Sequence, residues 1–284
     1  MKLIYENEKG ESITFDTFPP FFLSNVNGID GIKNIFSTQK SPYQDGNTLL
    51  NKTLDVRDIS LSGLIIGKNL DEIKAYRRQM LKVFNPKLSG ELTYIYNDSK
   101  KKIKCEVENA PSFSEDNVTR VQKFVVNLYC NDPFWTDAVE TQQEIAGWVG
   151  GFNFPLELSS SGIEMGTKLL NIIVNINNPG DVDCGNKIIF KALASVTNPQ
   201  ILNTVTGEYI KINKVMAAGD VITLTTDFGN KKVLLNGNNA FSLIDLNSTF
   251  FQLSVGDNLL KYQADANVNN LEVYVYYTPK YLGI

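Results

Sequence analysis

The sequence contains no histidine, and this absence excludes more kinds of chemistry than any other feature of its composition. Histidine is the commonest general base, the commonest zinc ligand, and the base in Ser-His and Cys-His nucleophile pairs. Sites of these kinds are excluded here, although lysine or carboxylate chemistry stays open. We therefore expect a protein that is not an enzyme, with no catalytic residue to name.

Cysteine is also scarce, and its spacing excludes a metal site. The three cysteines, Cys105, Cys130 and Cys184, are far apart, and none belongs to a C-x-x-C pair. An odd number without metal-ligand spacing predicts reduced thiols in a protein made in a reducing cytoplasm. Cys130 follows an apolar run and has no histidine to activate it, so we expect a small buried hydrophobe.

Long apolar runs and an excess of positive charge are both absent. No segment approaches the ~18 continuous apolar residues of a membrane span. The first residues lack the core of a signal peptide, because charge returns at Glu6 and Glu8. The formal net charge is −4, whereas phosphate binding needs a basic surface. We expect neither membrane insertion nor a specific nucleic-acid partner.

Two short motifs resemble ligand sites and lack their essential residues. "SGLIIGKN" has the spacing G-x-x-x-G-K, and Asn69 follows Lys68 where a phosphate loop needs Ser or Thr. Asp181 and Asp183 lie two apart, as in calcium loops, but the glycine and distal glutamate of an EF-hand loop are missing. The sequence therefore predicts no bound metal and no cofactor.

The first half of the chain predicts strands around one helix. The helix is expected over about residues 69–84, because Asn69 is a good N-cap, Glu72 follows three residues later, and apolar residues recur at helical spacing. Asn85-Pro86 then stops it. The order of elements predicts an α+β domain over residues 1–136, built on an antiparallel sheet or split barrel.

One segment of this half has no obvious place in a compact domain. Between Ile35 and Asn51 the chain is mostly polar and contains Pro42 and the turn pair Asp45-Gly46. A connection of this length is unusual unless it meets a partner. We expect a long hairpin tip or an extended arm.

The second half predicts an all-β domain. A glycine-rich crossing is expected at residues 137–151, followed by a domain over residues 152–284. That domain shows seven or more short strands separated by turns and no convincing helix, which is typical of a β-sandwich. Its strand "VYVYYTP" places Tyr274 and Tyr276 on the face opposite Val273, and we expect those tyrosines to meet a partner.

The order of short motifs resembles the distal tail proteins of long-tailed, siphovirus-type bacteriophages. The resemblance covers nearly the whole chain. The elements that carry it are a strand from Arg57 to Gly63, Asn85-Pro86 before Gly90, Pro111 to Phe113, "CNDPFW" at 130–135, "NPGDVDCGNKIIF" at 178–190, "FFQLSVGDNLLKY" and the closing "VYYTPKYLGI".

The resemblance implies a structural protein of the virion, made in the bacterial cytoplasm and placed at the distal end of the tail. Such proteins form rings, usually hexameric, that connect the tail tube to the baseplate hub and to host-adhesion proteins. The implied partners are copies of the chain itself, the tail tube protein, the hub or tail-associated protein, and receptor-binding proteins. The implied second domain is a galectin-like sandwich.

The predicted contact residues follow from this likeness. A subunit-contact arm is expected to include Pro42, Tyr43, Asp45, Gly46 and Arg57. A partner-docking face is expected at Tyr274 and Tyr276.

Two alternatives stay open. One is a carbohydrate-binding adhesion module, and the other is the equivalent part of a contractile, phage-like bacteriocin or prophage particle. Galectins bind sugar partly through histidine and tryptophan, whereas this chain has no histidine, and neither Trp135 nor Trp148 falls among the predicted sandwich strands. A docking platform is therefore favoured over a sugar site.

Overall fold

The computed structural model describes residues 1–114, 120–145, 148–150, 166–168 and 173–284. The chain divides into two compact units. Unit 1 comprises Met1–Ala138 and Lys280–Ile284, and unit 2 comprises Val139–Pro279. This division differs from the expected one in two ways. The segment Lys280–Ile284 belongs to unit 1, and part of the expected crossing at 137–151 belongs to the sheets of unit 2.

The described residues are mainly strands, as predicted. Before the crossing lie β1 Lys2–Asn7, β2 Ser12–Phe15, β3 Phe21–Asn27, β4 Asn34–Gln39, β5 Thr48–Leu54, β6 Arg57–Ile66, helix α1 Leu70–Val83, β7 Ser89–Tyr96, β8 Ser99–Phe113, β9 Val121–Cys130 and β10 Trp135–Asp137. After it lie β11 Thr141–Glu144, β12 Trp148–Gly150, β13 Gly166–Lys168, β14 Ile173–Asn178, β15 Asn186–Ala192, β16 Val196–Asn203, β17 Tyr209–Lys211, β18 Val215–Met216, β19 Val221–Thr225, β20 Lys232–Leu235, β21 Asn238–Asn239, β22 Gly256–Ala266, β23 Leu271–Tyr277 and β24 Lys280–Tyr281.

Unit 1 is built on one antiparallel sheet in the order β2-β1-β7-β8-β9-β6-β3, and β10 pairs with both β8 and β24. Asp16, the residue after edge strand β2, forms a single isolated bridge with Phe22 of the other edge strand, β3. The Leu23 amide donates to the Asp16 carbonyl at 2.9 Å beside that bridge. The sheet is therefore an open, split barrel, as the sequence predicted.

Helix α1 confirms the prediction for residues 69–84. The Asn69 side chain accepts a hydrogen bond from the Glu72 amide at 2.9 Å, and the Glu72 carboxylate accepts one from the Lys68 amide at 2.9 Å. The cap is therefore reciprocal, but it reaches one residue further back than a standard capping box. Ile73 and Met80 on the buried face of the helix join the core of the sheet.

Aromatic rings fill much of the core of unit 1. Tyr5 stacks on Phe84 with ring centroids 4.2 Å apart. Cys105 and Cys130 are buried in the same core as thiols, which confirms the prediction for Cys130. A hydrogen bond with the Cys130 thiol, together with burial, raises the pKa of Cys105. A protonated, buried thiol is not a nucleophile.

Unit 2 is a sandwich of two antiparallel sheets. One has six strands in the order β11-β23-β15-β19-β20-β21, and the other has the order β14-β22-β16-β17, with β18 beside β16. Buried residues of both sheets form one core, including Phe190 and Val275 of the first and Ile201 and Tyr262 of the second. The only helices among the described residues of unit 2 are two 3-10 turns, so the predicted all-β domain is confirmed.

Candidate functional site

The segment between β3 and β6 is a long hairpin, residues 34–54, which we call the arm. Strands β4 and β5 pair antiparallel from Asn34↔Leu54 to Gln39↔Thr48, with a bulge after Ser37. They form a sheet of their own, separate from the main sheet of unit 1. All of β4 is exposed, and so is all of β5 except Leu54. The predicted long hairpin is therefore present.

The arm exposes apolar side chains on both of its faces. Ile35 is 47% exposed and Phe36 is 60% exposed, and neighbouring residues of a strand point to opposite faces. Leu49 and Leu50 on β5 are also exposed. A two-stranded hairpin alone is marginally stable in water. Among the residues that the structure describes, the hydrophobic cores include none of these four side chains.

The tip of the arm is held by local hydrogen bonds. It contains four of the predicted contact residues, Pro42, Tyr43, Asp45 and Gly46. The Gln44 side chain accepts from the Ser41 amide at 3.0 Å and donates to the Thr48 hydroxyl at 3.0 Å. Tyr43 has a φ of 60° and a fully exposed side chain. The turn therefore presents an aromatic ring to solvent.

The fifth predicted contact residue, Arg57, lies elsewhere. It is the first residue of β6, and its side chain is only 3% exposed. Its guanidinium donates from Nε to the Pro133 carbonyl at 2.7 Å, from Nη1 to Gly28 at 2.7 Å and Asp30 at 3.0 Å, and from Nη2 to Leu282 at 2.5 Å. These donors are all used within its own unit, so the structure places the Arg57 side chain inside unit 1, whereas the sequence led us to expect it in a subunit contact.

Burial and charge explain why these bonds are strong. Burial lowers the pKa of the Arg57 guanidinium, and the nearby Cys130 and Asp30 oppose that change. An arginine guanidinium stays charged in proteins, and a hydrogen bond from a charged donor is roughly twice as strong as a neutral one. Four carbonyl oxygens surround the charge and replace its hydration. Arg57 therefore ties together three segments that are distant in sequence.

We call this arrangement the clasp. It consists of Arg57, the loop 28–30, residues 133–135 and the return segment Lys280–Ile284. Trp135 is fully buried, donates from Nε1 to the Ile29 carbonyl at 3.2 Å and pairs with Tyr281 in the sheet.

Two glycines allow these segments of the chain to approach each other closely. A Cβ on Gly283 would lie 2.6 Å from the Asp30 carbonyl oxygen. Gly28 has a φ of +86°, and a Cβ there would meet the Asp58 carbonyl at 2.0 Å. Only a residue without Cβ fits at either position. The loop that leads into the arm is therefore packed tightly on its neighbours.

The motif "CNDPFW" belongs to the clasp. Strand β9 ends at Cys130, as predicted, and the Asp132 side chain then accepts a hydrogen bond from the Phe134 amide at 3.3 Å. The carbonyl of Pro133, the residue after Asp132, accepts a hydrogen bond from the Arg57 side chain. Sequence reasoning identified this stretch as a boundary. It missed the partner, because Arg57 and Pro133 are 76 positions apart.

The tyrosine-bearing face of unit 2 lies along β23. Val273, Val275 and Tyr277 are buried, whereas Tyr274 and Tyr276 are half-buried on the opposite face, as predicted. The neighbouring strand β11 pairs with β23. It lies in the expected crossing at 137–151, so part of that segment is an edge strand of the sandwich.

Charged side chains frame the two tyrosines. Lys187 Nζ lies 4.4 Å from the centre of the Tyr276 ring and forms an ion pair with Glu140 at 2.8 Å. The Tyr274 hydroxyl donates to Glu272 at 3.3 Å. Burial and the negative charge of Glu272 raise the pKa of Tyr274. Glu140 and Lys187 are members of this face that sequence reasoning missed, and nothing in their local pattern pointed to them.

Within the part of the chain that the structure describes, no group of cysteine, aspartate and glutamate side chains could hold a metal ion. Among the same residues, no helix combines the length and the apolar character needed to cross a membrane.

In comparisons with known proteins, both halves of the chain match phage tail domains. Residues 8–130 match the model of a phage tail protein RIFT-related domain, and residues 179–281 match that of a siphovirus-type tail component, C-terminal domain. No curated protein matches the sequence.

Solved structures share the fold. The Dit protein of phage SPP1, described as a paradigm of the hub adsorption apparatus in phages that infect Gram-positive hosts, aligns with a TM-score of 0.73 at 13% identity, over 98% of each chain. A chain of the phage P2 baseplate, in its activated conformation with Ca, aligns with a TM-score of 0.52 at 12% identity, over 100% of this chain and 99% of that one. The two domain matches, in this order along one chain, show that it belongs to the distal tail protein family of siphovirus-type phages and is a structural component of the phage tail or baseplate.

Proposed function

We propose that the protein assembles into a ring of identical copies, six in the arrangement that the family implies, and that the arm of each copy contacts the next. The ring would connect the tail tube protein to the hub or tail-associated protein. The observation that carries the proposal is the arm, because it exposes Ile35 on one face and Phe36 on the other. Covering both faces requires surface from outside the unit.

A contact between arm and neighbour is heterologous, since the arm of one copy meets a different surface on the next. Contacts of this type close into rings when the rotation between copies divides a full turn. Pro42, Tyr43, Asp45 and Gly46 at the tip are the residues proposed to reach furthest into the neighbour. Arg57 has no such role, because it is buried.

We further propose that the face with Tyr274 and Tyr276 docks another tail protein, such as a receptor-binding protein. Half-buried tyrosines within a frame of charged groups are typical of protein contact surfaces. A sugar would stack on an open aromatic face, whereas Lys187 already lies over the ring of Tyr276. Protein docking is therefore favoured over sugar binding.

The ring proposal is tested by measuring the mass of the full chain in solution, by native mass spectrometry and by light scattering. We expect concentration-dependent assembly toward a closed ring for the natural sequence. The double change Ile35→Ser and Phe36→Ser is expected to weaken assembly by at least tenfold in midpoint concentration, roughly the effect of removing two apolar contact side chains.

Phe228→Ser is the matched control. Phe228 is 93% exposed, but it lies in the β19–β20 connection of unit 2 and not in the arm. If Phe228→Ser weakens assembly as much as the arm change does, the arm has no special role. If neither change alters the mass distribution of an assembling protein, the arm contact is excluded.

The docking proposal needs its own measurement. Tyr276→Ala should reduce binding of the full chain to separately purified hub or receptor-binding proteins encoded beside it, with ring formation unchanged. Saturable binding on a glycan array that is lost in Tyr276→Ala would instead support the carbohydrate-binding alternative.

A further inference from the structure

The clasp lies at the base of the arm. The loop 28–30 precedes β4, and Arg57 begins the strand that follows β5. The clasp therefore holds the chain close to both ends of the arm. Between them, the Asp55 amide donates to the Lys33 carbonyl at 2.9 Å.

We infer that Arg57 is the positioning residue for the arm, and that the return segment Lys280–Ile284 must be in place for the arm to have a fixed direction. Each guanidinium nitrogen of Arg57 bonds a different segment: Nη1 bonds the loop 28–30, Nε bonds Pro133, and Nη2 bonds Leu282. Removing any one segment leaves part of a buried charge without a partner, which is costly.

The return segment has a second set of contacts that serve the same loop. Gly283 packs so closely on Asp30 that a Cβ would approach its carbonyl to 2.6 Å. Tyr281 pairs with Trp135, whose indole bonds Ile29. The return segment thus supports the loop directly through Gly283 and indirectly through Trp135.

The order of the chain adds a consequence for assembly. Residues 280–284 follow unit 2 in the sequence, so a ribosome makes them after unit 2, whereas the arm precedes unit 2 and is made before it. Domains fold largely in order of synthesis. The clasp can therefore close only after unit 2 has been made, and an incomplete chain has an unclasped arm. This step rests on the proposed function, since it gives the arm a role in assembly.

The test is amide hydrogen exchange of the full chain, followed in peptides covering residues 28–34 and 54–57. Gly283→Ala should push the return segment away from Asp30, and Arg57→Lys should lose the branched set of donors while keeping the charge. We expect on the order of tenfold faster exchange in both peptides, because hydrogen bonds to a charged group contribute enough for a factor of that size. The β7–β8 hairpin should exchange at its normal rate.

Gly31→Ala is the matched control. Gly31 lies in the connection between β3 and β4, and a Cβ added there would meet no other atom within 4 Å. Gly31→Ala has the same effect on the unfolded chain as Gly283→Ala. We expect exchange and assembly like those of the natural sequence. Gly283→Ala should assemble less well than Gly31→Ala.

Three results would overturn the inference: unchanged exchange at the base in folded Gly283→Ala and Arg57→Lys, equal exchange in Gly31→Ala and Gly283→Ala, or a uniform rise throughout unit 1. The last would make Arg57 a general stabilising residue. Exchange at the base is read from the chain itself, so failure of the arm in ring assembly leaves this test intact.

Discussion

The arm lies in sequence between two parts of the clasp, the loop 28–30 and Arg57, but the arm and the clasp are stabilised in opposite ways. The arm is apolar in places, exposed on both faces and held by its own hairpin ladder. The clasp has a buried charged residue, Arg57, at its centre and is held by contacts with segments up to 225 positions away. Polarity alone does not tell which residues a protein buries. A charge is buried where partners surround it, and apolar side chains are common on the surfaces of folded proteins.

The largest change that separates the two regions is Trp135→Ala. The indole is fully buried and bonded to Ile29, so its loss should lower the free energy of unfolding by about 3–5 kcal/mol. Urea denaturation followed by circular dichroism measures this. A loss below about 1 kcal/mol would show that the clasp is not a stabilising centre.

The next change is Arg57→Met, which keeps the aliphatic stem and removes the charge. Four carbonyl oxygens lose their donors, and we expect the free energy of unfolding to fall by about 2–4 kcal/mol. The same denaturation measures it, with Arg77→Met as control, because Arg77 is only half-buried and its guanidinium lies over the Phe113 ring. Equal losses in the two variants would contradict the special role of Arg57.

Acid gives a smaller effect and acts on other parts of the molecule. In unit 2, hydrogen bonds from Asn177 and Asn175 hold the pKa of Asp257 below its ordinary value. A carboxyl whose pKa is lower in the folded state stabilises that state above its unfolded pKa, and this contribution is lost as the pH falls through the folded pKa.

The corresponding variant is Asp257→Asn. This variant should have a lower free energy of unfolding than the natural sequence at neutral pH. The difference should disappear as the pH falls below about 4, the ordinary pKa of aspartate. Urea denaturation at several pH values measures it, and Asp45→Asn in the exposed tip of the arm is the comparison. A difference that stays constant with pH would contradict the pairing of Asp257.

The smallest effect on folding is expected in the arm itself. Phe36→Ser should change the free energy of unfolding by less than about 0.5 kcal/mol, since exposed positions are tolerant. Its effect on assembly should be much larger. The two measurements on one variant, denaturation and native mass, separate a residue kept for folding from one kept for contact. A large loss of stability would show that Phe36 is covered within its own chain.

Local patterns predicted much of this molecule. Asn69 and Glu72 placed the helix, because capping and helical spacing depend on residues a few positions apart. The alternation around Tyr274 gave the buried and exposed faces of β23 for the same reason. The arm followed from a polar segment too long for a compact connection.

Other features could not be read from local patterns. Strand β11 is short, polar and exposed throughout, so "TQQE" carries no periodic signal, and its pairing with β23 is what makes it a strand. The return segment looked like the end of the sandwich, because nothing near Lys280 shows that its neighbours are Trp135 and Arg57.

Arg57 shows the division most clearly. The amino-acid sequence alone established the kind of protein: all-β in its second half, without the chemistry of histidine, and similar in its motifs to tail proteins. It also marked Arg57 and "CNDPFW" as parts of that likeness. Folding assigned Arg57 its place, because a buried guanidinium needs several carbonyl partners at once, and those of Gly28, Pro133 and Leu282 converge only in three dimensions.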